Sequence, residues 1–322
     1  MRKRASRDLR REPWQVLEPD AGSGPSTCSP EAYEQTFKKE GRCVSDTDII
    51  TIAERLKLDG RQGKKDIQGL LRNLHRVLGK DHALWVNHDL VKADKALSKS
   101  VSARFRPARP ASWRRNPTMW LSTVDIEKVM EQYAASHQNF KFMGVHPRDF
   151  MTVKSMLGTC IGGNAVCKPS LPELRETGIA HMGVVFNLDR HDQRGSHWVA
   201  CFISLDDRAP MYGAYYYDSV ARPPPPEIAS WMVQLQKGVA QVLGTPKTPK
   251  TPKTPKTPHT SRARPFDLAY NRVRRQFQNT ECGMFSMVFL AVAMRNEKTF
   301  ADICTDMGND QDMNKLRHVM YR

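Results

Sequence analysis

A chain of 322 residues is long enough for one sizeable core with a smaller accessory unit. Fifty Lys and Arg against 34 Asp and Glu leave a net charge of +16, which favours a polyanionic partner such as nucleic acid or anionic lipid but says nothing of chemistry. No apolar run reaches the roughly eighteen residues of a membrane-crossing helix, and the basic start Met1-Arg2-Lys3-Arg4 leads into no apolar signal core, so neither a span nor a secretory leader is expected.

Residues 1–29 are charged and loop-like, closing on Ala21-Gly22-Ser23-Gly24-Pro25-Ser26, and read as a disordered basic tail suited to a nuclear address, a polyanion contact or simple solvation. From 30 to 105 the apolar spacing is helical. Ile49, Ile50, Ala53 and Leu56 share one face, and Leu70, Leu71, Leu74, Val77 and Leu78 share another, which predicts a small all-α accessory domain. The basic turn Gly60-Arg61-Gln62-Gly63-Lys64-Lys65 between them is placed for a helix-turn-helix nucleic-acid contact, but no recognition-helix signature accompanies it and a solvated loop is the favoured reading. The basic, Pro-containing stretch Arg104 to Pro110 cannot continue a helix and marks a domain boundary, with a second domain over 106–322.

That second domain opens with a helix predicted over about Leu121 to Ala135. Strands are predicted over Ile179 to Phe186, His197 to Ser204 and Gly213 to Tyr217, separated by the turns Asp192-Gln193-Arg194-Gly195 and Asp206 to Pro210. After Pro223 to Pro226, the spacing of Ile228, Trp231, Met232, Leu235, Val239 and Val242 predicts a helix stopped by Gly244. A Thr-Pro-Lys repeat from Thr245 to Pro258 is a solvated, polyproline-like insertion within 245–265. Tyr270 to Phe277 reads as a strand and Cys282 to Met294 as a buried helix, which makes the whole an α+β fold.

Seven scattered cysteines (28, 43, 160, 167, 201, 282, 304) show no repeated spacing and read as reduced, intracellular thiols; no second Cys pair accompanies Cys160 and Cys167, so no metal and no cofactor is expected. One of them is placed for chemistry. A thiol attacks a peptide carbonyl as thiolate, and Cys282 opens the predicted buried helix, whose positive end favours an anion, beside the small Gly283. Cys160, Cys167, Cys201 and Cys304 read as small buried hydrophobes.

A thiol nucleophile needs a base and the base an orienting acceptor. His197, at the start of a strand, fits better than His191 in the polar loop Asp189 to Asp192. Asp218, at the end of the next strand, would lie beside it, although alone it reads as a turn aspartate. Gln276, six residues before the thiol, can join the Cys282 backbone N–H in stabilising an oxyanion; Gln278 is the alternative and spacing does not choose between them.

The order and spacing of these motifs resemble the SUMO proteases, the clan CE cysteine peptidases that cleave ubiquitin-like modifiers, and their viral relatives. The matching segments are Trp120-Leu121-Ser122 with Asp125-Ile126, Gly195-Ser196-His197-Trp198, Tyr217-Asp218-Ser219, and Gln276 with Glu281-Cys282-Gly283, spread over the last two-thirds of the chain. With the strand Gly183 to Asn187 and the compact size, the resemblance is greatest to the polyprotein-processing proteases of large cytoplasmic DNA viruses, the African swine fever virus type among them. It implies a papain-like core, a Cys282, His197 and Asp218 triad with Gln276, and cleavage after Gly-Gly. The partner would be a viral core polyprotein, or a ubiquitin-like modifier in a deSUMOylating enzyme, and the location the virion and host cytoplasm or, if not viral, the cell interior. Trp120 and Trp198 would narrow the substrate channel to residues without side chains, though each indole also suits a core. The Thr-Pro-Lys run and residues 1–110 lie outside the family's motifs. An inactive, basic nucleic-acid-binding protein on a protease-like fold is the reading from a different class.

Overall fold

The structure, a computed structural model, describes residues 17, 27–58, 66–152, 158–243 and 264–322. Most of the expected basic tail, the basic turn Gly60 to Lys65, the Gly244 helix stop and the Thr-Pro-Lys run lie outside these residues.

Three of the N-terminal helices are α1 (Asp46–Arg55), α2 (Ile67–Leu78) and α3 (Lys95–Ala103). A capping box starts α1, with Ser45 and Asp48 bonded reciprocally, and Asp66 and Asp94 cap the other two through Gly69 and Leu97. Ile49, Ile52, Leu70, Leu74, Trp85, Leu97 and Val101 close around one another as a separate core.

The rest is built on a mixed five-stranded sheet, so the fold is α+β as the sequence implied. A second capping box, Ser122 with Asp125, starts α4 (Thr123–Ser136). The strands are β1 (Phe140–Pro147), β2 (His181–Asn187), β3 (Trp198–Ser204), β4 (Gly213–Tyr217) and β5 (Asp267–Tyr270), in that spatial order. The outer pairs β1–β2 and β4–β5 are parallel; β2–β3 and β3–β4 are antiparallel. The β4–β5 crossover carries α5 (Pro226–Leu243). It is tied back where Gln236 Nε2 donates to the Phe266 carbonyl at 2.7 Å and Arg264 Nη2 donates to that of Pro210 at 2.9 Å. Three helices complete the chain: α6 (Cys282–Ala293), α7 (Phe300–Asp306) and α8 (Asp310–Met320).

Strand alternation divides the core into two layers. Trp198, Ala200 and Phe202 of β3 face one layer with α4, α6 and α8, whereas Val199, Cys201 and Ile203 face the other with Trp231 and Leu235 of α5. This two-sided burial explains why β3 is apolar at almost every position rather than at every second one. Helix α6 is buried on nearly all sides between the sheet and the C-terminal helices.

Three expectations need correction. The strand read over Tyr270 to Phe277 is instead β5 at Asp267–Tyr270, followed by irregular chain, because Arg272 to Arg275 leave the sheet. β1 had no counterpart in the sequence reading: Lys141, Gly144 and His146 obscure its alternation. The cysteines are not all free. Cys28 bonds Cys43 and Cys160 bonds Cys167, with Cα atoms 5.1 and 6.7 Å apart, leaving Cys201, Cys282 and Cys304 as free thiols. Such distances come from tertiary approach, which sequence separations of 15 and 7 do not reveal.

The chain after α3 runs extended and packed. The Phe105 carbonyl accepts from Gln132 Nε2 of α4 at 2.8 Å, and the Arg106 guanidinium lies 5.3 Å from the centre of the Tyr133 ring. Pro107 and Arg109 bond the backbone of Arg322.

Candidate active site

β3 begins one residue after His197 and β4 ends one residue before Asp218, so their antiparallel pairing delivers both side chains to one end of the sheet. His197 Nε2 lies 2.6 Å from Asp218 Oδ1. The other ring nitrogen remains for the Cys282 thiol, whose influence on the imidazole favours its charged form. The structure therefore brings together the histidine, aspartate and cysteine that the sequence singled out. Burial opposes the charge on His197, but the hydrogen bond to Asp218 and the electrostatic influence of Cys282 and Asp218 override it, raising the imidazole from 6.5 to about 9.

Asp218 is fully buried and has every reason to stay in place. Its carboxylate also accepts from the backbone N–H of Val220 at 3.0 Å and of Arg222 at 3.3 Å. Asn271 holds its backbone from both sides, accepting from Asp218 N at 2.8 Å and donating to Asp218 O at 2.7 Å. Asn271 was not anticipated. It follows directly on β5, whose Tyr270 pairs with Tyr216, and with β5 read three residues too late its register beside Asp218 was hidden.

Cys282 is the first residue of α6, and no side chain caps that end. Its backbone N–H is one of the donors that an α-helix cannot satisfy internally. The two other free thiols sit in the core, where burial pushes Cys304 up to about 12 and Cys201 higher still, so both are poor nucleophiles.

Gln276 is buried. Its Oε1 accepts from Ser219 Oγ at 2.5 Å and its Nε2 donates to the Gln278 carbonyl at 2.7 Å, which fixes which end of the amide is the donor and leaves one N–H unused by these bonds. The Gln278 side chain is exposed. The competing histidine, His191, belongs to a separate pair with Asp149, 2.7 Å away, and is 44% exposed.

The indoles frame the approach. Trp198 Nε1 donates to the Leu121 carbonyl at 3.0 Å, and Trp120 is 41% exposed beside it. Gly283 is required where the three elements meet: a Cβ there would stand 2.9 Å from Leu121 Cδ1 and 3.2 Å from Trp198 Cδ1. Gly195, at φ +92°, lets the loop before His197 turn back over Asn187.

Beneath the Cys282 end of α6 lies a second cluster that sequence reasoning missed. Glu281 and Arg317 are both buried, with Arg317 Nε 2.8 Å from Glu281 Oε2. The same guanidinium donates to the Met119 carbonyl at 2.8 Å and stacks 4.6 Å from the Trp113 ring centre, and Asn314 Nδ2 donates to Glu281 Oε1 at 3.2 Å. Glu281 stood beside the thiol in the sequence; Arg317, 36 residues on, carried no cue.

Residues 180–322 match the Ulp1 protease family, C-terminal catalytic domain. That stretch is a cysteine protease domain. The protease is 28% identical over 205 residues to a protein of Acanthamoeba polyphaga mimivirus named as a thiol protease; the alignment covers 64% of this chain and 57% of the mimivirus protein, so the chain spans little more than half of that relative. It is 23% identical over 277 residues to a SUMO-1 cysteine protease of African swine fever virus, covering 80% of this chain and 89% of the viral one. The crystal structure of the African swine fever virus protease superposes with a TM-score of 0.62 at 19% identity, covering 93% of this chain and 96% of the other, a likeness of fold. Among the described residues no helix of the protease is long and apolar enough to cross a membrane.

Proposed function

We propose that the protease hydrolyses peptide bonds through an acyl-enzyme in which Cys282 attacks, His197 takes and returns the proton, Asp218 orients the imidazole, and Gln276 with the Cys282 backbone N–H binds the oxyanion. The hydrogen bond from His197 to Asp218, with Cys282 at an uncapped helix start among the groups that raise the imidazole, carries this reading. Gln276 is preferred over Gln278 because it is buried and its amide is held by Ser219.

Cleavage follows Gly-Gly in this proposal. The gate of Trp120, Leu121 and Trp198 is locked by an indole-to-carbonyl bond and packs directly on Gly283, so a substrate residue reaching Cys282 has little room for a side chain. The substrate class is a viral structural or core polyprotein, which the viral origin of the relatives favours. Deconjugation of a ubiquitin-like modifier is the second reading, favoured by the SUMO-1 protease name of one relative. We further propose that the chain divides near Phe105 and Arg106 into a helical unit and the catalytic unit.

A Gly-Gly peptide ending in a thiol-reactive electrophile should label Cys282 and leave Cys201 and Cys304 unmodified; labelling elsewhere, or none, sinks the mechanism. Incubation with candidate polyproteins and with ubiquitin-like precursors, followed by sequencing of new N-termini, separates maturation from deconjugation.

A further inference from the structure

A cavity of about 560 Å³ starts at Trp120, Leu121 and Trp198 and runs on to His146, Arg190 and Arg194. Its first walls are the gate proposed to admit the glycine pair, so the cavity continues the path of the substrate chain beyond those glycines and rests on that reading. Its apolar walls, Val145, Pro147 and Ile161 among them, suit the methylene stem of a side chain, and its charged groups are unevenly engaged.

The carboxylates are committed within the protein. Asp189 accepts from Ser196 Oγ at 2.6 Å and from Gly195 N at 3.0 Å. Asp149, behind the wall, accepts from the His191 ring at 2.7 Å and its backbone N–H at 2.9 Å. Arg190 is shared between Asp149 at 3.6 Å and Asp192 at 3.7 Å. Arg194 lines the same cavity, is exposed, and has no hydrogen-bond or ion-pair partner among the described residues.

We propose that this cavity is a subsite for an acidic substrate side chain one or two residues before the glycine pair, and that Arg194 determines the preference. A guanidinium presents two parallel N–H donors to a carboxylate, and the glutamate stem would lie along the apolar wall. Asp189, whose donors are neutral, stays charged in the same wall, so the preference rests on Arg194 being the cation there without a partner among the described residues.

The test uses fluorogenic peptides that end in Gly-Gly and differ only in carrying Glu, Ala or Lys at the two preceding positions. The wild-type chain should cleave the Glu peptide with kcat/KM about fivefold above the Lys peptide, the size expected of a half-exposed ion pair. Arg194→Glu should reverse that order, and added salt should shrink both differences. Equal cleavage of Glu and Lys peptides by the wild type, or an unchanged Glu preference in Arg194→Glu, overturns the subsite. If no Gly-Gly peptide is cleaved, the glycine reading fails on its own. Binding of the same peptides to Cys282→Ala protein, followed by tryptophan fluorescence, then still reports on Arg194, and absence of a Glu preference there rejects the proposal.

Discussion

His197 is charged because of its company rather than its solvent access. Its proton is lost only as the pH rises through about 9, and Asp218 is one of the two partners that hold it there. Replacing Asp218 with asparagine removes an interaction that raises the imidazole, so the alkaline limb of kcat/KM should move from about 9 toward lower pH, with the rate at neutral pH also reduced. A pH–rate profile and an NMR titration of His197 in both proteins check this; an unmoved limb would remove Asp218 from the catalytic line. Gly283 makes a second residue-scale case. In Gly283→Ala the new methyl meets Leu121 Cδ1 at 2.9 Å, and the wall behind it is held by the Trp198 to Leu121 bond. We expect kcat/KM for a Gly-Gly peptide to fall about tenfold and stability to fall by about 1–2 kcal/mol, measured by steady-state kinetics and chemical denaturation.

At the scale of elements, α8 acts as a brace for the segment that carries Cys282. Asp310 at its start accepts the backbone N–H groups of Phe277 at 2.8 Å and Gln278 at 3.2 Å, and Arg317 near its end fixes Glu281 and Met119. One helix thus sets both the segment that leads to Cys282 and the one that leads to Trp120. Arg317→Ala leaves a buried carboxylate uncompensated and should cost about 3–5 kcal/mol, seen in denaturant titration. Arg317→Lys keeps the charge but not the fork that spans Glu281 and Met119, so it should recover much of the stability while kcat/KM stays low. Full activity in the lysine variant would show that the brace does not position the gate.

Which parts of this arrangement were readable from the chain follows from how local their causes are. His197, Asp218 and Cys282 stand at element ends marked by a Gly-Ser turn, a Tyr run and an apolar helix, so their order could be read along the sequence. Asn271 and Arg317 act across 53 and 36 residues through side chains with no pattern of their own, and only the folded chain brings them to Asp218 and Glu281. The edge strand β1 was lost for a related reason: six of its eight residues are only partly buried, so its polar positions mask a two-residue period.

At the scale of the whole molecule, the helical region and the catalytic sheet meet along the extended chain 105–109, which is bonded to α4 and to Arg322. The bridge from Cys28 to Cys43 closes the start of the helical region, with Cys28 also pairing with Phe105. Removing it as Cys28→Ala with Cys43→Ala should destabilise that region by about 3 kcal/mol, the loop-closure value for a separation near 15 residues. Thermal denaturation under non-reducing conditions measures the effect, and a loss confined to the catalytic unit would contradict the proposed division of the chain.

The anchoring of α5 and β5 has a practical outcome. Gln236 holds the Phe266 carbonyl and Arg264 holds that of Pro210, so the two flanks of the chain between Leu243 and Arg264 are tied down independently of what connects them. The entropic cost of closing a loop grows slowly with its length, by about 0.6 kcal/mol per doubling. That makes this junction a natural port for grafting a reporter domain or for opening new termini by circular permutation, with His197 and Asp218 kept on one side of the cut and Cys282 on the other.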